Sequence, residues 1–144
     1  MIKQTTLARA FTALTLAALT TACGDSLGPD EHADIQRLQV TFDGATTTPR
    51  VLTILANGPT GALTLANETQ SVTAVAYDAD DDAFNLGSRY ELVITTGSAS
   101  AQYVSDGPMV GTLVVNPGTY TFEVSVEHDG HAEFGPFDVD VTVN

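Results

Sequence analysis

The chain has 144 residues, a formal net charge of −13 and a hydrophobic content of 43%. After a targeting segment, this length leaves room for one domain of about 110 residues, so a second hydrophobic core is not expected. All 18 acidic residues follow residue 23, and the only basic residues among them are Arg37, Arg50 and Arg89. Three scattered arginines exclude the basic footprint that nucleic acid requires. The acidic surface also repels anionic lipid head groups, so any membrane attachment would have to be covalent.

The first 22 residues have the organisation of an export signal. A short basic region with Lys3 and Arg9 precedes the apolar segment Ala10–Leu19, and small residues follow it. This order is typical of a secretory signal peptide. The apolar segment is about half as long as the roughly 20 residues that a membrane-spanning helix needs. We therefore predict that residues 1–22 are a signal peptide and not a transmembrane helix.

The only cysteine, Cys23, follows this segment directly. Residues 19–23, Leu-Thr-Thr-Ala-Cys, resemble the lipobox of bacterial lipoproteins, although that family usually has Leu in the place of Thr20. The resemblance implies that Cys23 is lipidated and anchors the exported chain in the bacterial cell envelope, in either the inner or the outer membrane. Ordinary signal cleavage that leaves a free thiol is the alternative. With Cys23 lipidated, no thiol remains for a disulfide bond.

The remainder of the chain has the pattern of strands joined by turns. Residues 23–34 are polar and acidic and contain Gly and Pro, which is typical of a short flexible tether. In residues 35–144, short apolar runs alternate with turn residues, and no window predicts a helix. This pattern predicts one all-β domain, an antiparallel β-sandwich of about eight strands. The predicted strands are Ile35–Phe42, Arg50–Ala56, Ala62–Leu65, Gln70–Tyr77, Tyr90–Thr96, Ala101–Val104, Val110–Val115 and the two strands of a hairpin within Gly118–Asn144.

The C-terminal hairpin is the most regular of these elements. Apolar and polar residues alternate over residues 120–127 and again over residues 137–143, as in half-buried strands. Between them, Asp129-Gly130 tolerates the positive φ angles of a two-residue type I′ turn. In this register His128 and His131 face each other across the turn.

A family resemblance is carried by residues 116–124, Asn-Pro-Gly-Thr-Tyr-Thr-Phe-Glu-Val. They resemble the penultimate strand of bacterial immunoglobulin-like and PKD-like domains, in which a Gly-x-Tyr motif opens the strand. The resemblance implies an immunoglobulin-like sandwich over residues 35–144. It also implies that Tyr120 is a tyrosine-corner residue with its hydroxyl bonded to nearby backbone, and that Phe122 replaces the antibody cysteine. Residues 71–82 similarly resemble the second core strand of such domains and its acidic loop.

Two groups of residues are candidate metal ligands. Imidazoles are common ligands for zinc and copper, so His128 and His131 with Glu133, joined by His32 from the tether, form one candidate site. The alternative for this segment is a solvated or partner-contacting loop. The second group, Asp78, Asp80 and Asp82, would suit calcium. An EF-hand is excluded there, because the positions that require Gly and Glu hold Ala83 and Arg89. A solvated acidic loop is the other interpretation.

No catalytic arrangement is evident, since the sequence has no Gly-x-Ser-x-Gly motif and its one cysteine is assigned to lipidation. We therefore expect no enzyme activity. Three functions remain: a lipid-anchored envelope module that contacts a protein or glycan, a zinc- or copper-binding protein, and a calcium-stabilised adhesion-like domain. Immunoglobulin-like sandwiches host many unrelated roles, so the fold does not choose among them.

Overall fold

A computed structural model describes residues 32–144. Over this range the chain is an all-β sandwich without a helix, which confirms the predicted fold class. The signal peptide and Cys23 lie outside the described residues, so predictions about them are not tested. The strands are β1 (Arg37–Gly44), β2 (Arg50–Leu55), β3 (Gly58–Pro59), β4 (Leu63–Leu65), β5 (Gln70–Tyr77), β6 (Tyr90–Thr95), β7 (Ala101–Gly107), β8 (Val110–Val115), β9 (Gly118–His128) and β10 (His131–Val143).

The strands form two sheets. The larger sheet has the order β3-β2-β1-β5-β8-β7, and the smaller sheet has the order β4-β10-β9-β6. Every pairing is antiparallel except that of β4 with β10, which is parallel. The prediction of an antiparallel sandwich with about eight strands therefore missed the two-residue β3. It included β4, as Ala62–Leu65, but not the parallel pairing of this strand with β10.

Alternation of buried and exposed positions places one face of each strand in the core. In β5, for example, Val72, Ala74 and Ala76 are buried while the intervening residues are exposed. Phe42 and Phe122 are the largest fully buried side chains, one from each sheet. Each such burial stabilises the fold by about 1.5–3 kcal/mol.

Two local predictions about the core are confirmed. Phe122 is 1% exposed, as the alternation of apolar and polar residues predicted. The Tyr120 hydroxyl donates a hydrogen bond of 2.8 Å to the backbone carbonyl of Asn116, four residues upstream. This bond ties the entry of β9 to the loop that precedes it.

The outer faces of the two sheets differ in charge. On the small sheet, Glu91 is directly opposite Glu127, and Glu123 is directly opposite Asp138. Like charges in such positions are destabilising. The large sheet instead carries all the exposed large hydrophobic side chains of residues 32–144, which are Val51, Leu55, Val75, Val104, Val110 and Val114.

The segment before β1 packs against the sandwich. Ala33 and Ile35 are each 5% exposed and belong to the core cluster. The predicted tether, residues 23–34, therefore includes at its end residues that contact the domain. Within residues 32–144, no helix has the length and hydropathy needed to cross a membrane.

Candidate metal centre

The β9–β10 hairpin builds the tip at which the candidate site lies. β9 ends at His128, the two turn residues Asp129 and Gly130 have φ angles of 51° and 78°, and β10 begins at His131. Both turn residues therefore have the positive φ angles that were predicted. His128 pairs with His131 in the register expected from the sequence.

The arginine that precedes the neighbouring strand β6 holds this turn in place. Arg89 precedes β6, and its Nε donates a hydrogen bond of 2.9 Å to Asp129 Oδ1 while its Nη2 bonds to Oδ2. The Asp129 backbone N–H also donates to the Arg89 carbonyl at 3.1 Å. The hydrogen bonds from the Arg89 guanidinium lower the pKa of Asp129, so its carboxylate remains ionised at neutral pH. The tip is thus joined to the start of β6.

His128 is held in a fixed position inside this tip. It is 6% exposed because it lies on the inward face of β9, where Tyr90 of β6 is its direct cross-strand neighbour. The two rings stack with their centroids 4.4 Å apart and their planes at 8°. The nearest acidic atom to the His128 Nε2 is Asp129 Oδ2 at 3.7 Å, which is beyond hydrogen-bond distance. The imidazole is therefore oriented mainly by packing.

Tyr90 also positions the segment that carries His32. Its hydroxyl accepts a hydrogen bond of 3.1 Å from the backbone N–H of Ala33. His32 then lies edge-on to His128, with ring centroids 5.6 Å apart and planes at 85°. Burial raises the pKa of Tyr90, so its hydroxyl stays protonated.

Glu133 reaches the site because the hairpin is irregular next to it. Ala132 pairs with Glu127 and Phe134 pairs with Val126, which leaves Glu133 as an extra residue between two consecutive pairs. Such a bulge redirects a side chain. The Glu133 side chain is 12% exposed, and its Oε1 accepts a hydrogen bond of 2.6 Å from Nδ1 of His32.

Three of the predicted ligands therefore converge. His32, His128 and Glu133 each offer one donor atom, and all three atoms lie within 4.8 Å of one another. In a tetrahedral zinc site, metal–ligand distances near 2.0–2.2 Å place the donors about 3.3 Å apart. The separations between the donor atoms thus differ from those of a tetrahedral site by about 1.5 Å at most. When a metal binds, two metal–ligand bonds would replace the hydrogen bond between His32 and Glu133.

The other predicted ligands lie elsewhere. His131 is exposed and does not belong to the converging group, although it pairs with His128. The carboxylates of the acidic loop do not form a second such group among the described residues. Asp78 Oδ1 instead accepts hydrogen bonds of 2.9 Å from the backbone N–H groups of Asp80 and Asp82. The carboxylate of Asp81, which lies in the same loop between Asp80 and Asp82, pairs with Arg37.

Sequence reasoning missed Tyr90 and Ala33, which together place both histidines. The sequence does contain a signal for both residues. Tyr90 begins a predicted strand, and Ala33 continues the apolar alternation of the strand Ile35–Phe42 by two residues toward the N-terminus. Searches of protein families, of curated proteins and of solved structures each find no match. Functional reasoning therefore starts from the geometry of this centre.

Proposed function

We propose that this chain is an exported, lipid-anchored protein of the bacterial cell envelope that binds one Zn²⁺ or Cu²⁺ ion and has no catalytic activity. The ligands are His32, His128 and Glu133. The observation that carries the proposal is that donor atoms from the β9–β10 hairpin and from the segment before β1 lie within 4.8 Å of one another.

The chemistry of the donors favours these ions. Two imidazoles and a carboxylate suit zinc and cupric ions, whereas cuprous ion prefers sulfur ligands. No sulfur atom joins this group in the described part of the chain. The net charge of −13 raises the local concentration of cations around the domain.

The burial of the ligands supports a preformed site. His128 is fixed by the Tyr90 ring, and Glu133 by the bulge, so binding an ion requires ordering mainly His32, whose side chain is 73% exposed. A site in which two of three ligands are already oriented loses less conformational entropy when it binds. His32 would then close over the ion from the N-terminal side.

The experiment is a calorimetric titration of the full chain in a mild detergent with zinc, copper and calcium salts. We expect zinc or cupric ion to bind with one site per chain, and the Glu133→Gln and His32→Ala variants to lose this binding. Glu127→Gln is the matched control for the first, because Glu127 lies on the outer face of the same hairpin. His131→Ala is the matched control for the second.

Absence of zinc and copper binding would refute the proposal. So would binding that persists in Glu133→Gln but disappears in His131→Ala, because the ligands would then be different ones. Calcium binding alone would favour the acidic loop over this centre. Incorporation of a labelled fatty acid, abolished in Cys23→Ser, tests the anchor separately.

A second candidate function is a contact module of the envelope without bound metal. The observation that favours it is the location of every exposed large hydrophobic side chain of residues 32–144 on one sheet. A metal-binding domain has no need of this arrangement. The two functions are compatible, since the tip and the sheet face are different surfaces.

A further inference from the structure

The outer face of the large sheet is nearly free of charge at its centre. We call this surface the valine–threonine face. It consists of the outward residues of β1, β2, β5, β7 and β8, as the burial pattern and strand register define them. Its central positions are Gln39, Thr41, Thr73, Val75 and Val110.

The charged groups of this face lie at its periphery. Arg37 and Asp43 are near opposite ends of β1, and Arg37 pairs with Asp81 and covers the ring of Tyr77 at 3.6 Å. Asp106, at the edge strand β7, accepts a hydrogen bond of 2.7 Å from Thr112. The charged groups thus lie at the ends of β1 and on the edge strand β7 and leave the centre uncharged, as the centres of protein interfaces are.

The opposite side of the sandwich contrasts with it. The strands of the small sheet contain no lysine or arginine, and its outer face carries five carboxylates: Glu91, Glu123, Glu127, Asp138 and Asp140. Two copies of the chain, each with a net charge of −13, repel one another wherever such surfaces approach. The valine–threonine face is the surface of the described domain on which this local repulsion is weakest.

We propose that two copies of this chain associate through their valine–threonine faces. The same neutral patch on both partners suits a twofold interface, in which one surface is complementary to itself. A positively charged partner would instead bind to the acidic outer face of the small sheet. The five longer strands, at a spacing of about 4.8 Å and with lengths of about 20–25 Å, give a flat area of roughly 500–600 Å².

This area sets the expected strength. Stable interfaces bury about 800 Å² on each partner, so a flat face of this size predicts a weak and reversible dimer. Salt should strengthen the dimer, because it screens the repulsion between the acidic surfaces that lie outside the valine–threonine face of each copy. An association through oppositely charged surfaces would show the reverse dependence.

Sedimentation velocity of the full chain in a density-matched mild detergent tests this inference. We expect a monomer–dimer equilibrium with a dissociation constant of about 1–100 μM, which becomes tighter between about 0.05 and 0.5 M NaCl. Thr73→Glu should weaken the dimer by roughly tenfold or more, because it places two acids within an apposed neutral surface. Thr142→Glu is the matched control, since Thr142 is exposed on β10, an interior strand of the small sheet, and its cross-strand neighbours are the uncharged Thr119 and Thr64.

The same result should follow from a gentler change. Val75→Thr keeps the size of the side chain and removes apolar surface, so it should weaken the dimer without disturbing the fold. A monomer at all concentrations and salt concentrations would overturn the inference. A dimer that survives both changes on β5, or that Thr142→Glu disrupts, would overturn it as well. Glu133→Gln should leave the dimer unchanged, which separates this test from that of the metal centre.

Discussion

Replacing Gly135 with alanine tests whether the hairpin irregularity is needed to build the candidate site. Gly135 has a φ angle of 90°, a conformation that residues with a Cβ rarely adopt. A Cβ at this position would lie 2.7 Å from the backbone oxygen of Val124 and 3.2 Å from Cα of Ser125. Both are backbone atoms of the central strand β9, so they cannot move aside as a flexible side chain would.

The expected loss of stability has two parts. The positive φ angle costs an alanine about 1–2 kcal/mol. Forcing the extra methyl group against a backbone that is already closely packed adds about 1–3 kcal/mol. Gly130→Ala provides the control, because Gly130 has a φ angle of 78° and open space around the added Cβ. Gly135→Ala should therefore be less stable than Gly130→Ala by about 1–3 kcal/mol.

Urea unfolding followed by far-ultraviolet circular dichroism measures this difference. Zinc titration of the same proteins gives a second readout, because Glu133 lies two residues from Gly135 in the same irregular segment. We expect Gly135→Ala to weaken zinc binding and Gly130→Ala to leave it almost unchanged. Equal stabilities and equal zinc affinities in the two variants would refute the reasoning, since the close approach to β9 would then have no consequence.

Three further predictions concern single side chains. Tyr90→Phe keeps the ring that stacks on His128 but removes the hydroxyl that accepts a hydrogen bond from the Ala33 N–H. Calorimetry should therefore show a zinc affinity about tenfold lower. An unchanged affinity would contradict the role given to this hydroxyl. Burial raises the pKa of Tyr103 to about 12, so the stability of the fold should be lost as the pH rises from about 10 through 12. In an ultraviolet titration of tyrosine ionisation, the step at the highest pH should be absent from Tyr103→Phe. Hydrogen bonds from Thr47 and Thr46 lower the pKa of Glu68 in the folded state. The native chain should therefore be more stable than Glu68→Gln above about pH 5, and this difference should disappear as the pH falls through the folded-state pKa of Glu68. A difference that persists in strong acid would contradict this last assignment.

The sequence was sufficient for elements with strong local patterns. β5 and β8 have the predicted boundaries, and the hairpin has both the predicted turn and the predicted pairing of His128 with His131. These features depend on alternation and turn chemistry, which are local. β3 was missed because it has only two residues and is defined by its pairing with β2. β4 was predicted, but its parallel pairing with β10 depends on distant residues and has no local signal.

The candidate site depended on contacts that local patterns do not contain. The irregularity after Ala132 moves Glu133 out of simple alternation, and the hydrogen bond from Ala33 to Tyr90 joins residues 57 positions apart. His32 was assigned to a flexible tether on the basis of composition, yet it packs beside His128. Proximity along the sequence favoured His131, whereas proximity in space favours His32.

The path of the chain through the sandwich also defines its two ends. His32 enters beside the hairpin tip, while Asn144 bonds to Leu65 and Asn67 at the other end of β10. β10 has 13 residues, which separates these ends by about 35–40 Å. If residues 1–31 carry the proposed anchor, the candidate metal centre is the part of the domain nearest to it along this axis, and the loop containing Glu68 is the farthest. The proposed anchor would therefore leave the β4–β10 end of the sandwich as the end available to molecules farther from the attachment point.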